Sequence, residues 1–356
     1  MKSSLLEPTI YELGTFSQDR LNRMHFALNR HLKESTIPGL VALIYNRGQE
    51  HLYSIGSFDF DGKVPMERNT IFRLASMTKP ITAVAAMILV EECKIRLDDP
   101  VENWLPELKD RKVLRTIDSP LDDIVPAKRK ITLRDLLTFR CGYGEIGFIA
   151  PTSPLQKAMI DLQLPLSSWP ITFTAEEFMD RLGKLPLAYQ PGERWLYHMG
   201  AEILGVLIAR VTGKSLRSFL RERIFEPLEM IDTDFYVSEA KLNRLPTCYG
   251  TNFPMVDYVP SSVSPFNFEV VVIDKADGGN YSHPPIFESG GGGLVSTADD
   301  LLSFGKMMLN NGVYHKERIL SRSSIELMTI DHITAEQKSV SPFFSNFWDT
   351  YGWGLG

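Results

Sequence analysis

A serine becomes a useful nucleophile at neutral pH only when a base takes its proton, and a lysine serves if desolvation lowers its pKa. Serine and lysine three positions apart occur three times in this chain, as Ser76 and Lys79, Ser238 and Lys241, and Ser303 and Lys306. Ser303 and Lys306 fall inside a predicted helix over 298–309, and Ser238-Glu239-Ala240-Lys241 is a polar stretch, so both pairs read as surface. Ser76 differs: an extended Ile71-Phe72-Arg73-Leu74 leads into it and a strongly apolar helix, predicted over 76–93, follows, with Pro80 tolerated in its first turn. A serine at such a helix start has backbone N–H groups and the positive dipole end nearby, both suited to a developing oxyanion. Lys79 falls one turn along on the same face. From the spacing alone the commoner outcome is blander, with Ser76 a helix cap and Lys79 snorkelling to solvent.

These residues need a scaffold, and 356 residues exceed what one core usually supports. The N-terminal part reads helix, strand, strand: apolar Leu21, Met24, Leu28 and Leu32 recur at helical spacing over 18–32, and β-prone runs at 40–45 and 51–55 flank Asn46-Arg47-Gly48. Further helices are predicted at 133–137, 175–182, 201–211, 216–224 and 298–309, the last capped by Ser296. We expect residues 1–70 to open an α/β lobe, 71–285 to be a mainly helical region carrying the reactive residues, and 286–356 to return to the lobe. Two strands make a marginal sheet, so further strands are expected at or beyond the C-terminus.

Hydrophobic residues at 44%, charged residues at 23% and a net charge of -6 describe a folded globular chain without a basic stripe for nucleic acid. The longest apolar stretch, 81–90, is about half of a membrane span. Cys93, Cys141 and Cys248 are far apart and odd in number, and the start, Met1 to Pro8, lacks the apolar core of a secretory signal. A cytoplasmic location follows as the expectation. The seven histidines show no H-x-x-x-H or H-E-x-x-H spacing, and no metal or other cofactor is expected. The run Gly290 to Gly293 has no G-K-[ST] after it and reads as close backbone packing. His198 defaults to a loop or surface residue, although it can line a pocket beside Tyr197.

The segment Phe72-Arg73-Leu74-Ala75-Ser76-Met77-Thr78-Lys79-Pro80 resembles the nucleophile segment of the serine β-lactamase-like hydrolases, and is most similar to class C β-lactamases and family VIII carboxylesterases. The resemblance continues through residues 131–138, with Phe139 and Cys141 in place of the usual His and Ser, and through 191–197 and 290–297. It implies an α+β fold, an antiparallel sheet flanked by helices with a large mainly helical insertion. It also implies an acyl-enzyme mechanism in which Ser76, Lys79 and Tyr197 are catalytic, Tyr197 opening the family's Y-x-N motif. His198 and Met199 then fall at substrate-binding positions. Class C enzymes carry there an asparagine that binds the acylamino carbonyl, a hydrogen bond methionine cannot make. Family VIII esterases resemble this chain in having an apolar residue at that place.

A carboxylesterase acting on small to medium acyl esters is therefore expected. The alternatives are a β-lactamase or D-alanyl peptidase, an acyltransferase, and a catalytically impaired binding protein of the same fold. The family's third motif (K-T-G, H-x-G or W-G-G on an edge strand) has no match, and 351–356 resembles the strand that precedes it. The resemblance thus implies that the C-terminal strands are missing from this chain. An oxyanion donor lost with them would typically cost about 10²- to 10³-fold in rate. Acyl and alcohol specificity and oligomeric state are left open.

Overall fold

The computed structural model describes residues 16–33, 37–145, 153–164, 170–251, 269–341, 343 and 346–356. Residues 1–8, read above for a signal, lie outside the described residues. Helix α1 (Gln18–Lys33) precedes the antiparallel hairpin β1 (Gly39–Asn46) and β2 (Gln49–Gly56). Asn46 pairs with Gln49, leaving Arg47 and Gly48 as a two-residue turn, both at positive φ, the conformation that suits the twist of a hairpin. The short strand β3 (Phe72–Arg73) leads through a 3₁₀ turn (Ala75–Met77) into α2 (Thr78–Glu91).

The middle of the chain carries β4 (Lys112–Leu114), β5 (Ile124–Pro126), α3 (Leu133–Leu137), α4 (Pro154–Asp161), α5 (Ala175–Gly183), α6 (Met199–Thr212), α7 (Leu216–Leu220), β6 (Cys248–Thr251) and β7 (Val270–Asp274). After it come β8 (Val295–Ser296), α8 (Ala298–Leu309), β9 (Val313–Tyr314), β10 (Glu317–Arg318), α9 (Arg322–Thr329), α10 (Ala335–Ser339) and α11 (Phe347–Thr350). The fold is mixed α+β. Among the described residues the strands form five two-stranded sheets, and the β1–β2 hairpin is flanked by α1 on β2 and α8 on β1.

The core is built on α2 and α6, two helices apolar on nearly every face and therefore driven inside. One buried cluster runs from Leu74 to Leu355, joining the middle of the chain to its last residues. Close approach is what the glycines supply. A Cβ on Gly290 would lie 2.6 Å from the Ala201 carbonyl oxygen, and one on Gly200 2.6 Å from that of Leu136. The glycine run is thus a packing element, as its sequence predicts.

Several boundaries differ from expectation for local reasons. The helix predicted over 76–93 is a 3₁₀ turn followed by α2. It ends in a left-handed Cys93 whose N–H donates to Val90 while Lys94 N–H donates to Leu89, a Schellman stop without glycine. The 216–224 helix is α7 followed by one π turn (Arg221–Phe225). The cap of α8 is Thr297, whose hydroxyl accepts from Asp300 N–H at 3.2 Å, because Ser296 is paired with Phe72 in the ladder. Residues 351–356 form no strand. They are held as irregular chain by His332 N–H donating to Trp353, Leu355 N–H to Met328 and Gly356 N–H to Leu137.

Gly290→Ala should destabilise the protein by about 1–3 kcal/mol, because its Cβ meets backbone that cannot swing away. Gly305→Ala, inside α8 with open space around it, should instead stabilise by about 0.5–1 kcal/mol. Paired urea unfolding curves check both.

Candidate active site

Antiparallel pairing of Phe72 with Ser296 and Arg73 with Val295 brings the glycine run beside the start of α2. Leu74 N–H donates to Leu294 at 2.8 Å, and Leu294 N–H donates to the Thr78 hydroxyl at 3.2 Å. The same alignment places the Gly291 carbonyl over Lys79. Nζ of Lys79 donates to Gly291 O at 2.6 Å and to Ser76 Oγ at 2.8 Å. Lys79 is 3% exposed. Burial pulls its pKa down from 10.5 to about 8, although the carboxylates of Glu202 and Glu145 pull the other way. Roughly a tenth of the lysine is then neutral at pH 7.

Tyr197 completes the group. Its ring centre lies 4.8 Å from Lys79 Nζ, and its phenol hydrogen-bonds the Ser76 hydroxyl. Burial raises its pKa, against the pull of that hydrogen bond and with help from Glu145, so the resting form is the phenol. The backbone that presents it is unusual. His198 has φ +78° and ψ -63°, and Met199 N–H donates to Tyr197 O at 3.1 Å. This is the rare, strained form of γ-turn. Phe139, Trp195, Phe343 and Trp353 pack around the Tyr197 ring, with centroids 5.2 to 6.2 Å away.

The structure brings Ser76, Lys79 and Tyr197 together and places the other two serine–lysine pairs elsewhere. Ser303 shares a hydrogen bond with Tyr314 while Lys306 binds Glu50, and Lys241 binds Asp232. The two substrate-binding expectations change. Met199 is 1% exposed and belongs to the main core, and His198 is 1% exposed with its ring turned to Glu202. Neither presents surface to a ligand, because the turn at His198 and the start of α6 at Met199 direct both side chains inward.

Two carboxylates were not anticipated. Glu145, paired through its N–H to Tyr197 O at 3.0 Å, has a buried Oε2 without a hydrogen-bond partner. Burial raises its pKa to about 7 against the pull of Lys79. Glu202, 1% exposed, lies behind Lys79, and Ser289 donates to it at 2.7 Å. The one available signal was Glu202 itself, a carboxylate four residues after His198 in a helix that is otherwise apolar until Arg210.

A buried lysine converging with a part-exposed serine and tyrosine can transfer an acyl group through the serine oxygen, so fold and site together define a serine acyl-transfer protein of α+β type. A family model described as Beta-lactamase matches residues 27–356, and the chain belongs to that family as a serine hydrolase. Protein Rv1367c of Mycobacterium tuberculosis is 38% identical over 320 residues, 90% of this chain and 74% of that protein. Esterase EstB of Burkholderia gladioli is 30% identical over 306 residues, covering 85% and 73% of the two chains. The solved structure of EstCE1, described as a hydrolase with promiscuous acyltransferase activity, superposes with a TM-score of 0.73 at 25% identity, covering 95% of this chain and 82% of that one.

Below pH 8 Lys79 is protonated in both the folded and the unfolded chain, and the folded state bears the whole cost of burying the charge. That cost fades as pH rises from about 8 to 10.5, where only the unfolded chain holds the proton. Lys79→Met should therefore raise unfolding stability at pH 7 by about 1–3 kcal/mol. Urea curves at neutral and alkaline pH should show the gain shrinking as the pH rises.

Proposed function

We propose that the chain is a carboxylesterase for small to medium acyl esters, with Ser76 as nucleophile. The observation that carries this reading is the 2.8 Å contact from a buried Lys79 to Ser76 Oγ, with the lysine pKa lowered to about 8. Neutral Lys79 takes the Ser76 proton as Oγ bonds to the ester carbonyl carbon, and the carbonyl electrons move onto oxygen. The Ser76 N–H helps hold that oxyanion. As the electrons return, the bond to the alkoxy oxygen breaks. The departing alcohol receives a proton from the Tyr197 phenol, which Lys79 replenishes. Water then attacks the acyl-enzyme along the reverse route, releasing the acid and restoring Ser76.

Met199 supports an ester over a β-lactam, since it offers no amide to an acylamino carbonyl and is packed in the core. The similarity to EstB, an esterase, and to EstCE1, a hydrolase, agrees with this choice. The acyltransferase activity in EstCE1's description favours a second reading, in which an alcohol replaces water in the last step. Three free cysteines, one of them exposed, suit a cytoplasmic location. Among the described residues no helix is long and apolar enough to cross a membrane.

Purified protein should hydrolyse p-nitrophenyl butyrate, and Ser76→Ala should lose that activity by a factor on the order of 10³ or more. Nitrocefin should be turned over slowly or not at all. Absence of ester turnover by the wild type would remove the esterase reading, and an added alcohol that increases acyl release would favour the transferase.

A further inference from the structure

Behind the Ser76 site lies a second buried polar group that acyl transfer does not itself require. Glu202 and His198, both 1% exposed, approach with Nε2 3.2 Å from Oε1, an ion-pair distance without hydrogen-bond alignment. Ser289 donates its hydroxyl to Glu202 Oε1 at 2.7 Å and accepts from Gly292 N–H at 3.0 Å. Glu202 is thereby tied to the glycine run, whose Gly291 carbonyl holds Lys79. A Cβ on Gly291 would fall 2.6 Å from Glu202 Oε1 and 3.0 Å from His198 Cε1, so run and pair are in direct contact. Burying a carboxylate is expensive, and a γ-turn of this hand stores about 1–3 kcal/mol of strain. Both sit at the turn that presents Tyr197.

We infer that Glu202, with His198 and Ser289, is a positioning unit that fixes the Gly291 carbonyl and the Tyr197 turn around Lys79 and sets a carboxylate beside that lysine. This rests on Lys79 being the base of the reaction. The groups facing Lys79 are Ser76 on its own segment, the Gly291 carbonyl, the Tyr197 ring, and the carboxylates Glu145 and Glu202. Glu202 is influenced by His198, Ser289 and Lys79, and it in turn acts on Tyr281. Burial works to raise the Glu202 pKa, but the His198 ring, the Ser289 hydroxyl and the Lys79 charge hold it below the ordinary carboxylate value, so it stays ionised through neutral pH.

Removing the charge while keeping the shape should let Lys79 give up its proton at lower pH. The test is the pH dependence of covalent labelling by a fluorophosphonate, in which a bond forms from Ser76 Oγ to phosphorus, fluoride leaves and the serine proton passes to Lys79. Intact mass reads the adduct on the full chain. Wild type that fails to label, or Ser76→Ala that labels equally, refutes the reading of Ser76 and Lys79 rather than this inference. Given normal wild-type labelling, Glu202→Gln should move the midpoint of the rise with pH downward by about one unit. Glu145 is present in both proteins, so the difference belongs to Glu202. An unchanged midpoint, whatever the plateau rate, overturns the inference. If Glu202→Gln does not fold, Ser289→Ala keeps the carboxylate and frees the glycine run. Its plateau labelling rate should fall roughly 3- to 10-fold, the value of one lost hydrogen bond. An unchanged plateau overturns the inference equally.

Discussion

An ammonium group shut away from water needs partners that no single segment of this chain supplies, and most of the site can be understood as meeting that need. Lys79 lies one turn after Ser76, but the carbonyl that accepts its hydrogen bond comes from Gly291. Bringing that carbonyl within reach requires the β3–β8 pairing, and the close packing of the run on α6 requires glycine there. The same packing leaves little water around the amine, and this dryness is what depresses its pKa. Stability and reactivity therefore pull in opposite directions at one atom.

Much of the scaffold was legible because its signals are local. The first helix, the hairpin with Arg47-Gly48 at its turn, and helices α3, α5 and α8 follow from periodicity and turn chemistry over a dozen residues or fewer. The errors fall where two local rules competed. Ser296 and Thr297 can each cap a helix, and only the strand partner across from Ser296 decides between them. Residues 351–356 resemble a strand, but their backbone groups are taken by Met328, His332 and Leu137, none of which lies near them in sequence.

The site divides in the same way. Ser76, Lys79 and Tyr197, which the structure brings together, were singled out through the family resemblance laid over a spacing that occurs three times. Glu145 and Glu202 were not found, because a carboxylate announces its burial only through neighbours that the fold supplies. His198 shows the converse, a residue rightly placed beside Tyr197 in sequence whose ring the helix then turns inward, away from any ligand. Met199 follows it into the core.

The two-residue ladder between β3 and β8 also has a meaning in time. Lys79 and the Gly291 carbonyl are separated by 212 positions, so at ordinary rates of translation the lysine leaves the ribosome roughly 10 to 40 s before its acceptor exists. During that interval α2 can form, but the amine has every reason to remain hydrated and charged, and Ser76 stays an ordinary alcohol. Until then the Ser76–Lys79 pair lacks the carbonyl that holds the lysine in the finished fold. The Lys79–Gly291 contact can form only once the glycine run has been made and packs beside the helix.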